Sequence, residues 1–272
     1  MLVSSMRDHS IDYAPCHYNG SRLWFRGPCK TLQSPYIACL GGCETYGRFV
    51  ADPWPVRLET MLGRAVVNLG VENTGVDAYL NDAGALCTAA QARLAIIQLT
   101  GCHNGSNRYY TVHPRRNDRF VKASSALKAL YPEMDFTEVH FTRHMLTRLR
   151  SICPDRFALV AEEARIAWHA RMQQLIAHMS SEVILFWFAP FAPEKSKDDL
   201  EDGEIFLDRR MVERLQPHAF ETVELVADPW AEGHDDTTVS PLETGRAARL
   251  PGRSAHEAAA RALQDAIAGA LQ

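Results

Sequence analysis

The chain has 272 residues, of which 46% are hydrophobic and 23% are charged, and its formal net charge is −4. This composition can fill the core of one large domain, and it excludes a wholly disordered chain. The acidic balance argues against a general attraction to nucleic acid, and no apolar run is long enough to cross a bilayer. We therefore expect neither a nucleic-acid partner nor a membrane partner.

The N-terminal residues and the cysteines indicate the domain organisation and the cellular compartment of the protein. Residues 1–35 are polar and aromatic, which predicts an N-terminal arm packed on a single domain formed by residues 36–272. The first residues lack the apolar centre of a secretory signal, and seven irregularly spaced cysteines do not form a disulfide framework. We expect reduced thiols, a cytoplasmic location, and neither a metal nor a cofactor.

Short apolar runs alternate with helical patterns along the chain. Strands are predicted at 36–40, 65–69, 93–99, 182–188 and 222–226. Helices are predicted at 54–62, 76–90, 117–131, 137–150, 155–180, 208–216 and 256–271. Polar loops are predicted at 101–122, 193–204 and 228–255. This alternation favours an α/β fold, namely a three-layer α/β/α sandwich with about five parallel strands.

The turn after the first predicted strand carries the most chemical information. It reads Gly41-Gly42-Cys43-Glu44-Thr45. A helix that begins directly after a strand offers free backbone N–H groups and a positive dipole end. We therefore predict Cys43 as a nucleophile with a lowered pKa, and we predict that Glu44 and Thr45 contact the substrate. The alternative is that Cys43 is a small buried hydrophobic residue and that Glu44 only balances the helix dipole.

Three more turns are expected at the same edge of the sheet, because the carboxyl ends of parallel strands share one edge. They are Asn68-Leu69-Gly70, Gly101-Cys102-His103-Asn104 and Gly252-Arg253-Ser254-Ala255-His256. We predict that an oxyanion is stabilised by the Cys43 N–H, by the N–H of Gly70 or Gly75, and by the Asn104 amide, at about 3 kcal/mol per donor. His256 is predicted as the base. Its orienting carboxylate is either missing or supplied by Asp228, Asp235 or Asp236.

A basic and aromatic stretch, 108–122, follows the third predicted strand. Arginine binds phosphate, sulfate and carboxylate groups through paired hydrogen bonds. The predicted substrate-binding residues in or beside this stretch are His103, Asn107, Arg108, Arg115 and Arg116. The alternative is a solvated loop whose cations pair with nearby carboxylates.

The order and spacing of these turns resemble those of the SGNH/GDSL hydrolase superfamily over most of residues 36–272. Two segments, 44–49 and 110–120, also resemble sequences of an uncharacterised bacterial domain family of unknown function. The superfamily resemblance implies the three-layer fold, and it implies ester hydrolysis or acyl transfer at the four turns.

The chain departs from the superfamily pattern at several of its motif positions. Cys43 stands where the superfamily has serine, and Gly42 and Arg253 stand where it has aspartates. His103 occupies the slot of the superfamily asparagine, and Asn104 follows it by one residue. These departures make the implied fold firmer than the implied hydrolysis.

Three functions follow from these observations. The first is an esterase-like or acyltransferase-like enzyme that acts through a Cys43/His256 dyad on an acylated, anionic or carbohydrate substrate. The second is a catalytically decayed domain that binds a carbohydrate or an anionic ligand, since the aspartates of the triad are missing. The third is a sulfate- or phosphate-group transferase, although no glycine loop that would cradle a phosphate donor is present. The physiological substrate and the oligomeric state stay open.

Overall fold

The computed structural model of the protein describes residues 11–33, 35–195, 206–234 and 239–270. The strands in these ranges are β1 (Ile37–Gly41), β2 (Val66–Gly70), β3 (Leu94–Gln98), β4 (Tyr110–His113), β5 (Arg116–Ala123), β6 (Glu182–Ala189) and β7 (Glu221–Val226). The α-helices in these ranges are α1 (Cys43–Tyr46), α2 (Trp54–Leu62), α3 (Val76–Leu80), α4 (Ala83–Ala90), α5 (Ser125–Leu130), α6 (Thr142–Ile152), α7 (Pro154–Ala177), α8 (Arg209–Leu215), α9 (Thr244–Ala247) and α10 (Arg253–Ala270).

Five of the strands form one sheet in the order β2-β1-β3-β6-β7, and all neighbouring pairs are parallel. Apart from the exposed Glu182 at the start of β6, the central strands β1, β3 and β6 are buried along their whole length and mostly apolar, as expected for a parallel sheet covered on both faces. Helices α2 and α10 pack on one face, where Trp54 and Leu263 belong to the same core cluster. Helices α3, α4 and α7 pack on the other face. The predicted three-layer α/β/α fold is confirmed.

The polar region after β3 differs from its prediction. Strands β4 and β5 form an antiparallel hairpin where the sequence predicts a loop at 101–122 and a helix from 117. Only Asn117, Phe120 and Ala123 of β5 are buried, and charged side chains occupy most of the exposed positions between them. Local sequence shows mainly these charges, whereas the strand is fixed by pairing with β4 and by packing against the domain.

Other predicted boundaries change in smaller ways. The helix predicted at 76–90 is divided into α3 and α4, because the Asp82 carboxylate accepts the N–H of Ala85 and begins a new helix. The loop predicted at 228–255 contains the short helix α9. Most of the loop predicted at 193–204 lies outside the described residues.

The segment before β1 packs on the sheet domain. Tyr18, Leu23 and Phe25 are buried in the main core cluster. The buried guanidinium of Arg26 donates to the carbonyl groups of Gly47 at 2.5 Å and of Ala51 at 2.6 Å. The division into an arm and one domain stays a prediction. No helix in the described part of the chain has the length and apolar character needed to cross a membrane.

Candidate functional site

A cavity of about 860 Å³ lies beyond the carboxyl ends of β1, β3 and β6. Asp118 and Trp230 contribute to its wall. The remaining lining residues lie within segments 42–44, 73–74, 100–104, 141–143, 188–191 and 245–250. Two of the four predicted turns, and the loop that follows a third, therefore meet in one place. The fourth predicted turn, 252–256, contributes no lining residue.

The turn from β1 into α1 is held by close contacts that need glycine. A Cβ atom at Gly41 would lie 2.2 Å from the Thr45 hydroxyl and 2.4 Å from the Gln98 amide oxygen. That same Gln98 oxygen accepts the N–H of Gly42 at 3.1 Å and the hydroxyl of Thr45 at 2.6 Å. The other side of the Gln98 amide donates to Glu44 at 3.0 Å. These bonds fix the position of the residue between Gly42 and Glu44.

Cys43 is partly exposed and lies at the cavity wall. The backbone N–H of Asn73 points at its sulfur over 3.3 Å, and the side-chain oxygen of Asn73 lies 3.6 Å from it. A guanidinium nitrogen of Arg246 lies 3.9 Å from the same sulfur. Asn73 has a φ of 55°, in the left-handed region that asparagine enters more readily than most residues. The loop between β2 and α3 thus presents the backbone N–H of Asn73 to the Cys43 sulfur.

The structure raises the pKa of Cys43 to about 12, so the prediction of a lowered pKa is wrong. Burial is the largest cause, because the surrounding protein removes much of the water that would solvate a thiolate. The carboxylates of Glu44 and Glu72 add to it, while the Asn73 N–H and Arg246 act in the opposite direction. A pKa this far above 7 strongly disfavours the thiolate at neutral pH. The thiol is therefore protonated.

His103 and Asn104 both line the cavity. This position is compatible with the predicted roles of His103 as a substrate contact and of Asn104 as an oxyanion donor. The Asn104 side-chain oxygen accepts the hydroxyl of Thr142 at 3.0 Å, which orients the amide. The imidazole of His103 is buried, and Nδ1 has no partner among the described residues. Burial and the nearby Arg143 lower its pKa to about 3. His103 is neutral near pH 7.

Two carboxylates and three guanidinium groups line the cavity among the described residues: Glu44, Asp118, Arg143, Arg246 and Arg249. The pKa of Asp118 is raised because the carboxyl group is partly buried, although arginines nearby oppose the shift. Arg246 also donates to Glu72 at 3.1 Å. The cavity wall carries more positive than negative groups.

Two predicted catalytic residues are not placed at this cavity. The His256 ring is completely buried, its Nδ1 accepts the backbone N–H of Trp54 at 3.1 Å, and it packs against Phe188. The Gly70 N–H donates to the Asn68 side chain at 2.9 Å, and a Cβ atom at Gly70 would lie 2.3 Å from the Tyr46 nitrogen. His256 is thus part of the core on the buried face of α10, and the Gly70 N–H is already occupied.

The remaining predicted contact residues are scattered. The Thr45 hydroxyl is buried against Gln98, and the Asn107 side-chain oxygen caps the backbone N–H groups of residues 109 and 110. Arg108 pairs with Glu163 at 3.1 Å. Arg115 and Arg116 line a different cleft. None of these five residues contributes to the wall of the cavity.

The orienting carboxylates proposed for His256 receive no support. Asp228 is exposed at the end of β7, whereas Asp235 and Asp236 lie outside the described residues. In the part of the chain that the structure describes, no group of three or more histidine, cysteine or acidic side chains could hold a metal ion.

Sequence reasoning missed several residues of the cavity. They are Asn73, Asp118, Thr142, Arg143 and Arg246. Asn73 could have been found, because it follows β2 as closely as the predicted turns follow their strands. The other four reach the cavity through the hairpin and through α6 and α9, which have no motif that marks this edge of the sheet.

A family model described as "Domain of unknown function (DUF6473)" matches residues 1–271. The chain belongs to this family. The predicted resemblance to an uncharacterised domain family is thereby confirmed. A search among curated proteins finds no significant match.

Several solved structures align with this member of the family. A family 2 carbohydrate esterase with a carbohydrate-binding domain, from Corynascus thermopiles (Myceliophthora fergusii), is 14% identical, with a TM-score of 0.44 over 90% of this chain and 69% of that one. A family two carbohydrate esterase from Clostridium thermocellum, in complex with cellohexaose, is 10% identical, with a TM-score of 0.45 over 91% and 67%. A GDSL-like lipase from Bacteroides thetaiotaomicron is 11% identical, with a TM-score of 0.41 over 86% and 88%. These are the kinds of protein that the sequence resembles, but at such values the matches carry no inference about activity.

Proposed function

We propose that the cavity binds an anionic carbohydrate ligand without covalent chemistry. The observation that carries this proposal is the convergence of Arg143, Arg246 and Arg249 on a cavity with two carboxylates, one of which has a raised pKa. Arginine recognises planar and tetrahedral anions through paired hydrogen bonds. The cavity is large enough for a ligand of one or two sugar rings.

The lining also suits a sugar ring. Phe141 is 45% exposed beside the cavity, and the Trp230 ring is held by a hydrogen bond from its N–H to the Arg249 carbonyl at 3.1 Å. Held aromatic faces can pack on the apolar face of a sugar, while amides such as Asn104 bind its hydroxyl groups. This combination of aromatic, amide and cationic groups supports a carbohydrate that bears a negative charge.

The state of Cys43 supports binding rather than nucleophilic attack. The thiol is protonated at neutral pH, and no imidazole or carboxylate in the described part of the chain forms a hydrogen bond with its sulfur. A cysteine nucleophile needs a thiolate or an adjacent base. His256, the predicted base, is held in the core by Trp54.

Isothermal titration calorimetry with glucuronate, and with glucose as the neutral control, tests this proposal. We expect glucuronate to bind and glucose to bind at least about tenfold more weakly, which is roughly 1.4 kcal/mol. Arg143→Gln/Arg249→Gln should remove most of that preference. The matched control is Arg64→Gln/Arg93→Gln, which removes two exposed charges at the opposite edge of the sheet. Equal binding by both double variants would contradict the proposal.

A second candidate function is acyl transfer through Cys43, and the donors around its sulfur favour it. An acyl group on Sγ would place its carbonyl oxygen near the Asn73 N–H and the Arg246 guanidinium. Attack of the Cys43 sulfur on the carbonyl carbon of an ester would form a thioester and release the alcohol, which takes up the thiol proton. Water would then cleave the thioester, which releases the acid and restores the thiol. The group-transferase alternative has less support, since Arg115 and Arg116 do not line this cavity.

Hydrolysis of p-nitrophenyl acetate separates the two candidates. Acyl transfer predicts turnover that is abolished in Cys43→Ala and retained in His256→Asn. A binding protein predicts no turnover above that of the Cys43→Ala variant. Turnover that depends on His256 as strongly as on Cys43 would restore the predicted dyad.

A further inference from the structure

A second cleft of about 580 Å³ opens on the other side of the loop after β2. It is lined by residues within 22–24, 71–73 and 113–116, together with Tyr46. Asn73 contributes to both the cavity and this cleft. The cleft therefore joins the N-terminal segment to the hairpin beside the site described above.

Three arginines line this cleft, and one of them, Arg116, lies close enough to Asp118 to lower the pKa of that carboxyl group. None of Arg22, Arg115 and Arg116 forms an ion pair with another described residue. The acidic lining residue, Glu72, is already shared between Arg48 at 2.5 Å and Arg246 at 3.1 Å. Like charges gathered around one cleft repel each other, and a bound anion relieves that repulsion.

The hairpin turn that carries two of these arginines is well braced. The Nδ1 atom of His113 accepts the backbone N–H groups of Arg115 and Arg116, each at 3.2 Å. The buried Asn117 side chain donates to the His113 carbonyl at 2.9 Å. The backbone that presents the two guanidinium groups is thus fixed before any ligand arrives, which lowers the ordering cost of binding.

The opposite wall offers a cation and an aromatic face. The backbone N–H of Arg22 donates to Asp82 at 2.8 Å, which ties this segment to α4. Trp24 is 59% exposed, and its ring lies 3.6 Å from that of His17, centroid to centroid. The Nδ1 atom of His17 lies 2.6 Å from the carbonyl oxygen of Leu23. The structure thereby orients a large, exposed indole in the same cleft as these arginines.

We propose that this cleft is a second ligand site, which takes a sugar ring carrying a phosphate or sulfate group. The arginines would bind the tetrahedral oxyanion through paired hydrogen bonds, and Trp24 would pack on the ring. Phosphate and sulfate esters share this chemistry. The inference does not depend on what the larger cavity binds.

Calorimetry and tryptophan fluorescence test the inference. The ligands are glucose 6-phosphate, glucose 6-sulfate, inorganic phosphate and glucose. We expect one or both esters to bind at least about tenfold more tightly than inorganic phosphate or glucose. The ester that binds more tightly identifies the oxyanion. Binding should change the fluorescence in the wild type and leave it unchanged in Trp24→Phe.

The arginine variants locate the site. We expect Arg115→Gln/Arg116→Gln to weaken ester binding at least about tenfold. Arg64→Gln/Arg93→Gln, which removes the same charge from other exposed positions, should leave it unchanged. Both pairs are exposed, so both variants should keep the melting temperature of the wild type.

Three results would overturn the inference. The first is equal weakening by the two surface pairs, which would indicate only a general effect of net charge. The second is a loss of ester binding in Arg143→Gln/Arg249→Gln but not in Arg115→Gln/Arg116→Gln, which would place the ligand in the larger cavity. The third is tighter binding of ADP than of either sugar ester, which would indicate a nucleotide site.

Discussion

The thiol of Cys43 is surrounded by groups that act on its ionisation in opposite directions. The Asn73 N–H and the Arg246 guanidinium favour the thiolate, whereas burial, Glu44 and Glu72 favour the thiol. Burial is the largest of these effects, so the protonated thiol is the favoured form. Sequence reasoning identified the helix N-terminus beside Cys43 but had no access to these neighbours. A helix of only four residues also supplies little dipole.

Asp118 gives a testable consequence for stability. Its pKa is raised in the folded state, so its favourable contribution is fully present at low pH and is lost as the pH rises through the raised value. At pH 7 the ionised carboxylate is therefore less well solvated than in the unfolded chain. We predict that Asp118→Asn increases the free energy of unfolding at pH 7 and has a smaller effect at pH 3.5.

Urea unfolding at the two pH values measures this difference. The matched control is Asp155→Asn, a change at an exposed carboxylate outside the cavity. A stabilisation by Asp118→Asn that is no larger at pH 7 than at pH 3.5 would be inconsistent with a raised pKa.

The two buried histidines predict sensitivity to acid. Burial lowers the pKa of His103 and of His256 from the ordinary value of 6.5 to about 3. Between these values the unfolded state binds protons that the folded state does not bind, so stability falls as the pH decreases. Each such proton contributes a slope of about 1.4 kcal/mol per pH unit.

We predict that His256→Asn reduces this slope by about 1.4 kcal/mol per pH unit between pH 6 and pH 4. Asparagine can still accept the Trp54 N–H, although the smaller side chain should lower stability at every pH. The control is His178→Asn at an exposed position. The measurement is the free energy of unfolding in urea across this range, and a slope unchanged from that of the wild type would refute the prediction.

At the scale of elements, the sheet was predictable and the hairpin was not. Strands such as β3 and β6 are continuous apolar runs, because helices cover both of their faces. Strand β5 is half-exposed and highly charged, so its local sequence contains no comparable apolar run. The missed hairpin carries Asp118 into the cavity and the two arginines of its turn into the second cleft. Asp118 was therefore missed as a residue of the cavity.

Asn117 connects this hairpin to the sheet domain. It is completely buried, and its side-chain oxygen accepts the backbone N–H groups of Gly75 at 2.8 Å and Ala78 at 3.1 Å. Asn117→Ala leaves these donors without their partner. We predict a loss of about 2–4 kcal/mol in the free energy of unfolding.

Urea unfolding also measures the effect of Asn117→Ala, and Asn81→Ala at an exposed position serves as its control. A loss below about 1 kcal/mol would show that Asn117 does not hold the hairpin on the domain.

At the scale of the whole molecule, the order of strands and helices predicted the edge of the sheet where the cavity lies. It did not predict which side chains turn toward that edge. His256 illustrates the difference, because it lies with Ala255, Ala259, Ala260 and Leu263 on the face of α10 that packs against the sheet. This spacing is that of a buried helical stripe. The helical spacing of His256 from these apolar residues therefore predicts a position in the core, away from the cavity.

We propose that a protonated Cys43 belongs to a binding cavity and does not act as a nucleophile. Alkylation by iodoacetamide, followed by peptide mass spectrometry from pH 6 to pH 11.5, tests it most directly. Cys153 serves as the internal reference, because hydrogen bonding to the Arg156 backbone lowers its pKa. We predict that Cys43 reacts more slowly than Cys153 at pH 8 and that its rate still increases above about pH 11. A Cys43 rate that exceeds that of Cys153 and reaches its plateau by about pH 8 would contradict the account.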